Sequence, residues 1–289
     1  KLQAFSGRSP ENERIARDLL LGVTNARKLW TNQLESLMDP ATIRVKNAEL
    51  NRMRSRLANR DMQLWRELED ALERVDEAQR TYRSFFEREQ AFRVRGKLFE
   101  HALHIVRMAE ELDKPSGERL REYRDSNLDA IRQTLFADTP IYPDFEVELI
   151  ASALSRMAEE LGRDDPVVAT VLGEMSPRER ANAAVRGSIL FEADHRRRIV
   201  AGGMDEIRSR EDPMLRLAMA LDPEMRSLRT RSEDEVESVL TEAYETIASA
   251  WFAVEGDSVY PDATFTLRMG FGTVSGYTEP DGTVVEPFT

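Results

Sequence analysis

Hydrophobic residues keep a helical period from Ile15 to Trp251 and then change to a period of two, which confines strands to the last forty residues. Upstream, Ile15, Leu19, Val23, Ala26, Trp30, Leu34 and Leu37 fall at three- and four-residue steps, a single stripe on a helix of about seven turns. Downstream, Ala263, Phe265, Leu267, Met269 and Phe271 alternate with Thr264, Thr266, Arg268 and Gly270, the pattern of a half-buried strand. Gly272 to Tyr277 continues it, Glu279-Pro280-Asp281-Gly282 is turn chemistry, and Thr283-Val284-Val285 reads as a return strand. An isolated hairpin is marginal in water, so these strands are expected to belong to a larger sheet and the chain to be a piece of a longer protein.

Punctuation divides the helical part. Asp39-Pro40 ends the first long helix and starts the next, because Asp is a favoured N-cap and Pro fits the first turn. Asp165-Pro166, Asp212-Pro213 and Asp222-Pro223 repeat the pair, and Ser176-Pro177-Arg178-Glu179 is a capping box. Leu64, Leu68, Ala71, Val75, Ala78, Tyr82 and Phe85 mark a second long helix. Further helices are expected over 93–112, 118–136 and 143–161, with a final one starting at Pro223 and carrying Val236, Leu240, Ala243, Ile247 and Trp251. No sequence repeat of fixed period is present, which disfavours a solenoid.

Hydrophobic residues make up 41% of the chain, enough for a core, and 33% are charged, which suits helices with solvated outer faces. The net charge of −12 argues against a duplex-binding surface, so no nucleic-acid partner is expected. Runs such as His195-Arg196-Arg197-Arg198 read as a solvated helix face. There is no cysteine, which removes disulfides and thiolate chemistry. No apolar run reaches the roughly 20 residues of a membrane span.

Catalytic signals are sparse. His101 and His104 sit three apart with Glu100 beside them, close enough to share a metal, but no third ligand is evident and partly exposed helix positions are the simpler reading. Neither Arg186-Gly187-Ser188 nor Val274-Ser275-Gly276 resembles a nucleophile elbow, and Gly202-Gly203 reads as a turn. No metal or cofactor is therefore expected. Asn25 lies mid-helix, one step off the apolar stripe, with Gly22 a turn before it. Asn is a poor mid-helix residue and Gly leaves backbone bare for close approach, yet from these residues alone an ordinary exposed Asn is the preferred reading.

The stretch Ser258 to Arg268, with Gly272 to Tyr277 after it, resembles the bacterial serine dipeptidyl peptidases that include dipeptidyl peptidases seven and eleven. Gly117 to Ser126 and Pro140-Ile141-Tyr142-Pro143 are similar to the same family. The resemblance implies a mainly α chain: a helical cap over residues 1–250, inserted in a chymotrypsin-type double β-barrel, followed at 251–289 by the first strands of the second barrel. It implies that the catalytic His, Asp and Ser lie outside these residues, so the piece alone is expected to be inactive. Its partners would be the rest of the barrels and peptide substrates with a free N-terminus, in a periplasmic or secreted parent that pairs through its barrels. Family members carry a Ser-Asn-Tyr-Trp-Lys-like element whose Asn binds the substrate α-amine. Thr24-Asn25-Ala26-Arg27-Lys28 matches it at Asn25 and Lys28 and departs from it at Ala26 and Arg27, so the resemblance implies amine recognition by Asn25. The rival reading is a non-catalytic helical interaction module.

Overall fold

The structure, a computed structural model, describes residues 1–256, 272–279 and 282–287. Twelve α-helices are arranged among them: α1 (Leu2–Ser6), α2 (Pro10–Met38), α3 (Pro40–Arg60), α4 (Met62–Ala91), α5 (Lys97–Glu111), α6 (Asp125–Leu135), α7 (Pro143–Leu161), α8 (Pro166–Leu172), α9 (Pro177–Arg186), α10 (Ala193–Ser209), α11 (Pro213–Ser232) and α12 (Ser238–Glu255). A two-stranded antiparallel sheet, β1 (Tyr277–Thr278) with β2 (Val284–Val285), pairs Tyr277 with Val285 and Thr278 with Val284. The chain is mainly α, as its periodicity requires. The expected hairpin is present but shorter, since Gly272 to Gly276 forms no strand. The alternating segment Tyr260 to Phe271 lies outside the described residues.

The expected caps form where local chemistry is free to act. Asp39 accepts from Ala41 N, Asp165 from Val167 N and Val168 N, and Asp212 from Met214 N and Leu215 N. Ser176 and Glu179 complete the capping box. Asp222-Pro223 is the exception: no helix starts there, and α11 runs through Pro223. The Asp222 carboxylate is taken by Arg107 Nε and Arg226 Nε, both at 2.6 Å, so it does not cap. Leu217, Ala218, Leu221 and Leu228 are buried on either side, and that burial offsets the roughly 3 kcal/mol an internal proline costs. A π-helical segment, Glu233–Glu237, then joins α11 to α12.

Two other boundaries move for the same reason. The helix expected from Arg93 begins at Lys97, because the backbone at Gly96 has φ 141 and Glu146 of α7 accepts from Lys97 N and Leu98 N at 3.1 and 3.0 Å. The helix expected from Glu118 begins at Asp125, after two 3-10 turns at 116–118 and 121–123. There Glu111 takes Leu120 N at 2.7 Å, and the buried Tyr123 meets His104 Nδ1 at 2.8 Å. Long-range partners override local propensity at both places.

The main core gathers α5, α7, α11 and their neighbours around Leu98, Ile105, Ile150, Leu154, Leu215 and Leu221. A smaller cluster holds α3, α4 and α12 together through Met53, Leu57, Leu68 and Ala250. Arg196 is 1% exposed, which corrects the solvated reading of that basic run for this residue alone; Arg197 and Arg198 are exposed. Its guanidinium donates to the carbonyls of Leu135, Leu190, Phe191 and Ala137 at 2.6–2.8 Å. Four carbonyl acceptors replace the counter-ion that a buried charge otherwise requires. Ionic ties close α5 onto α11: Glu111, fully buried, accepts from Lys114 Nζ and Arg226 Nη1 at 2.7 and 2.5 Å.

Candidate functional site

The helix α2 carries the sequence-nominated Asn25. Ser9 caps it by accepting from Asn12 N, Pro10 opens it, and Asp39 closes it 29 residues later. Its apolar stripe is the surprise. Ile15 and Leu19 are half-buried, but Val23, Trp30, Leu34 and Leu37 are exposed, with Trp30 at 66%. The periodicity made the helix; burial by other described residues reaches only its first part.

Asn25 itself is exposed, and its amide makes no hydrogen bond to another described residue. Thr24, its neighbour, bonds back to the Leu20 carbonyl at 2.8 Å. At Gly22 an added Cβ would meet nothing within 4 Å, so the bare backbone anticipated there faces open space.

Beside this part of α2 lies a groove of about 700 Å³. Leu19, Gly22, Val23, Ala26 and Trp30 form one wall and Leu149, Ser152, Ala153 and Arg156 of α7 the other. Gln90 at the end of α4, with Arg93 and Arg95 from the connection to α5, also lines it. Asn25 does not line it: it sits about 60° round the helix from Gly22, on the side away from Ala26. Sequence reasoning missed the arginines, which were assigned to a helix start. The available signal was Arg93-Val94-Arg95-Gly96, two cations on alternate residues before a glycine.

The histidines do other work. His101 is buried, contrary to the partly exposed position expected, and its Nε2 has no partner. Burial, then the Arg196 charge, lowers its pKa to about 4, so it is neutral near pH 7. His104 is turned to Tyr123, and burial lowers its pKa as well. His195 Nδ1 lies 3.1 Å from the Ile189 carbonyl. Among the described residues no group of three His, Asp or Glu side chains is placed to hold a metal.

Ser188 is buried and donates to Asp212 Oδ2 at 3.0 Å while accepting from Leu190 N. Since that Asp212 also caps α11, the serine locks a turn. Gly202-Gly203 is an interruption inside α10, with Gly203 at φ 63, in keeping with the turn expected there. The described residues thus present a groove and, off its wall, an exposed amide, without a hydrogen-bonded Ser–His pair.

A family model described as Peptidase S46 matches residues 1–289, the full length of the chain. The chain belongs to that family, which comprises dipeptidyl peptidases of the seven and eleven type and works by serine-peptidase chemistry.

Proposed function

We propose that this member of the Peptidase S46 family serves a serine dipeptidyl peptidase as its helical cap. Residues 1–250 close the end of the substrate cleft, and residues 251–289 enter the second barrel. The triad comes from the barrel portion of the peptidase: its serine attacks the scissile carbonyl, the peptide bond breaks with release of the remaining peptide as an amine, and water hydrolyses the acyl-enzyme to free the dipeptide and the serine. The cap fixes how far a peptide enters, so cleavage falls two residues from the free amine. Family members are typically secreted or periplasmic, and the same placement is proposed for this protein. No helix among the described residues is long and apolar enough to cross a membrane.

The amine is recognised by Asn25. A side-chain carbonyl accepts from an ammonium without adding a charge that needs its own partner, and the amide of Asn25 is exposed and unengaged. That availability, on the helix that carries the family's Asn element, is the observation on which the reading stands. A hydrogen bond to a charged group contributes roughly 1.5–3 kcal/mol. With about 1.4 kcal/mol per factor of ten, Asn25→Ala in the full-length enzyme lowers kcat/KM for free-amine peptides by about 10- to 100-fold. Wild-type efficiency in that variant would remove Asn25 from the site.

A further inference from the structure

The chain has 53 acidic residues against 41 Lys and Arg, yet no carboxylate lines the groove between α2 and α7, while three arginines do. Arg95 has no ion pair or hydrogen bond among the described residues, and Arg93 has only Glu89, at 3.6 Å. Arg156, which also lines the groove, has no carboxylate partner among the described residues either.

The backbone connection that bears Arg93 and Arg95 is also held in place. Arg156 Nη2 donates to the Arg93 carbonyl at 2.6 Å, tying the connection to α7. At its other end Glu146 accepts from Lys97 N and Leu98 N, and a Cβ at Gly96 would lie 2.6 Å from Glu146 Oε2. Trp30 and Leu149 add apolar lining to the same groove. Guanidinium groups bind carboxylates with two parallel hydrogen bonds, and apolar walls strengthen that attraction by thinning the water around it.

We propose that this groove binds the C-terminal end of a peptide, its carboxylate on Arg93, Arg95 and Arg156 and its last side chain against Trp30 and Leu149. The volume, about 700 Å³, lies within the range of small-molecule sites. That the ligand is a peptide rests on membership of a peptidase family; the demand for a terminal carboxylate rests on the arginines. The site is separate from amine recognition, since Asn25 points off the groove wall.

The test is calorimetric titration of the 289-residue chain with N-acetyl-Ala-Phe, as free acid and as C-terminal amide; the blocked amine keeps either probe from the Asn25 site. The acid binds saturably, and the amide at least about tenfold more weakly, as expected for losing a charged hydrogen-bonded pair. Arg95→Gln, an exposed position with no structural bond, weakens the acid about tenfold and leaves the amide unchanged. Arg93→Gln does the same by a second route. Equal binding of acid and amide, no binding of the acid, or wild-type affinity in both arginine variants each overturns the proposal. Asn25→Ala leaves the acid's affinity unaltered. Failure of amine recognition and failure of this site are therefore read in different experiments.

Discussion

Helices α5 and α2 have equally regular apolar periodicity and opposite fates. In α5, Leu98, Phe99, Ala102, Ile105 and Val106 are buried against α7, α10 and α11. In α2, Val23, Trp30, Leu34 and Leu37 recur just as faithfully, and all four are exposed. A helix of 29 residues is about 43 Å long, and the groove it shares with α7 extends no further along it than Trp30. Periodicity states which face of a helix is apolar; it does not state that the rest of the chain supplies something to cover it. Among the described residues, nothing covers that face.

Substitutions sharpen the contrast, beginning with the core. Arg196→Met strands four carbonyls that its guanidinium now satisfies, and is expected to cost at least about 4 kcal/mol in urea denaturation. Leu98→Ala leaves a cavity in α5 and costs about 3 kcal/mol by the same measurement.

A titration comes next. His101 has a folded pKa of about 4 against an ordinary 6.5, so between those values the unfolded chain binds the extra proton. Stability is therefore complete above pH 6.5 and falls as pH drops towards 4, by about 2–3 kcal/mol from this group. His101→Gln should remove that part of the acid sensitivity, seen as a shallower decline of unfolding free energy between pH 7 and 4. The smallest effect is expected on α2: Leu34→Ser and Leu37→Ser each change stability by no more than about 0.5 kcal/mol. A cost comparable to that of Leu98→Ala would break the comparison and place the stripe in a core.

Much of the helical order was readable. Ser176 with Glu179, and Asp39, Asp165 and Asp212 before proline, act as caps because their partners are two or three residues away. What was not readable depends on residues distant in sequence. Asp222 has the same local signature but lies against Arg107, 115 residues earlier, and Glu146 sets the start of α5 from 48 and 49 residues away. Arg196 likewise looks solvated in a basic run until the carbonyls at 135 and 137 are brought to it. Asn25 stands out only through the family element it matches, and the structure leaves its amide accessible. The arginine groove was invisible because it needs α2, α7 and the 92–96 connection at once.

The π-helical segment at Glu233–Glu237 has a consequence for how this protein can change length. A π turn is an α-helix that has absorbed one surplus residue, while the helix beyond it keeps its facing. Upstream, α11 is locked into the main core; downstream, Ala250 is locked against α3 and α4. Deleting a single residue within 233–237 would let the turn relax to ordinary α-helix with both ends still in register, whereas the same deletion a few turns later would rotate Ala250 out of its seat by about 100°. The bulge is a splice joint, a stretch where the loss of one residue can be absorbed without remaking either anchorage.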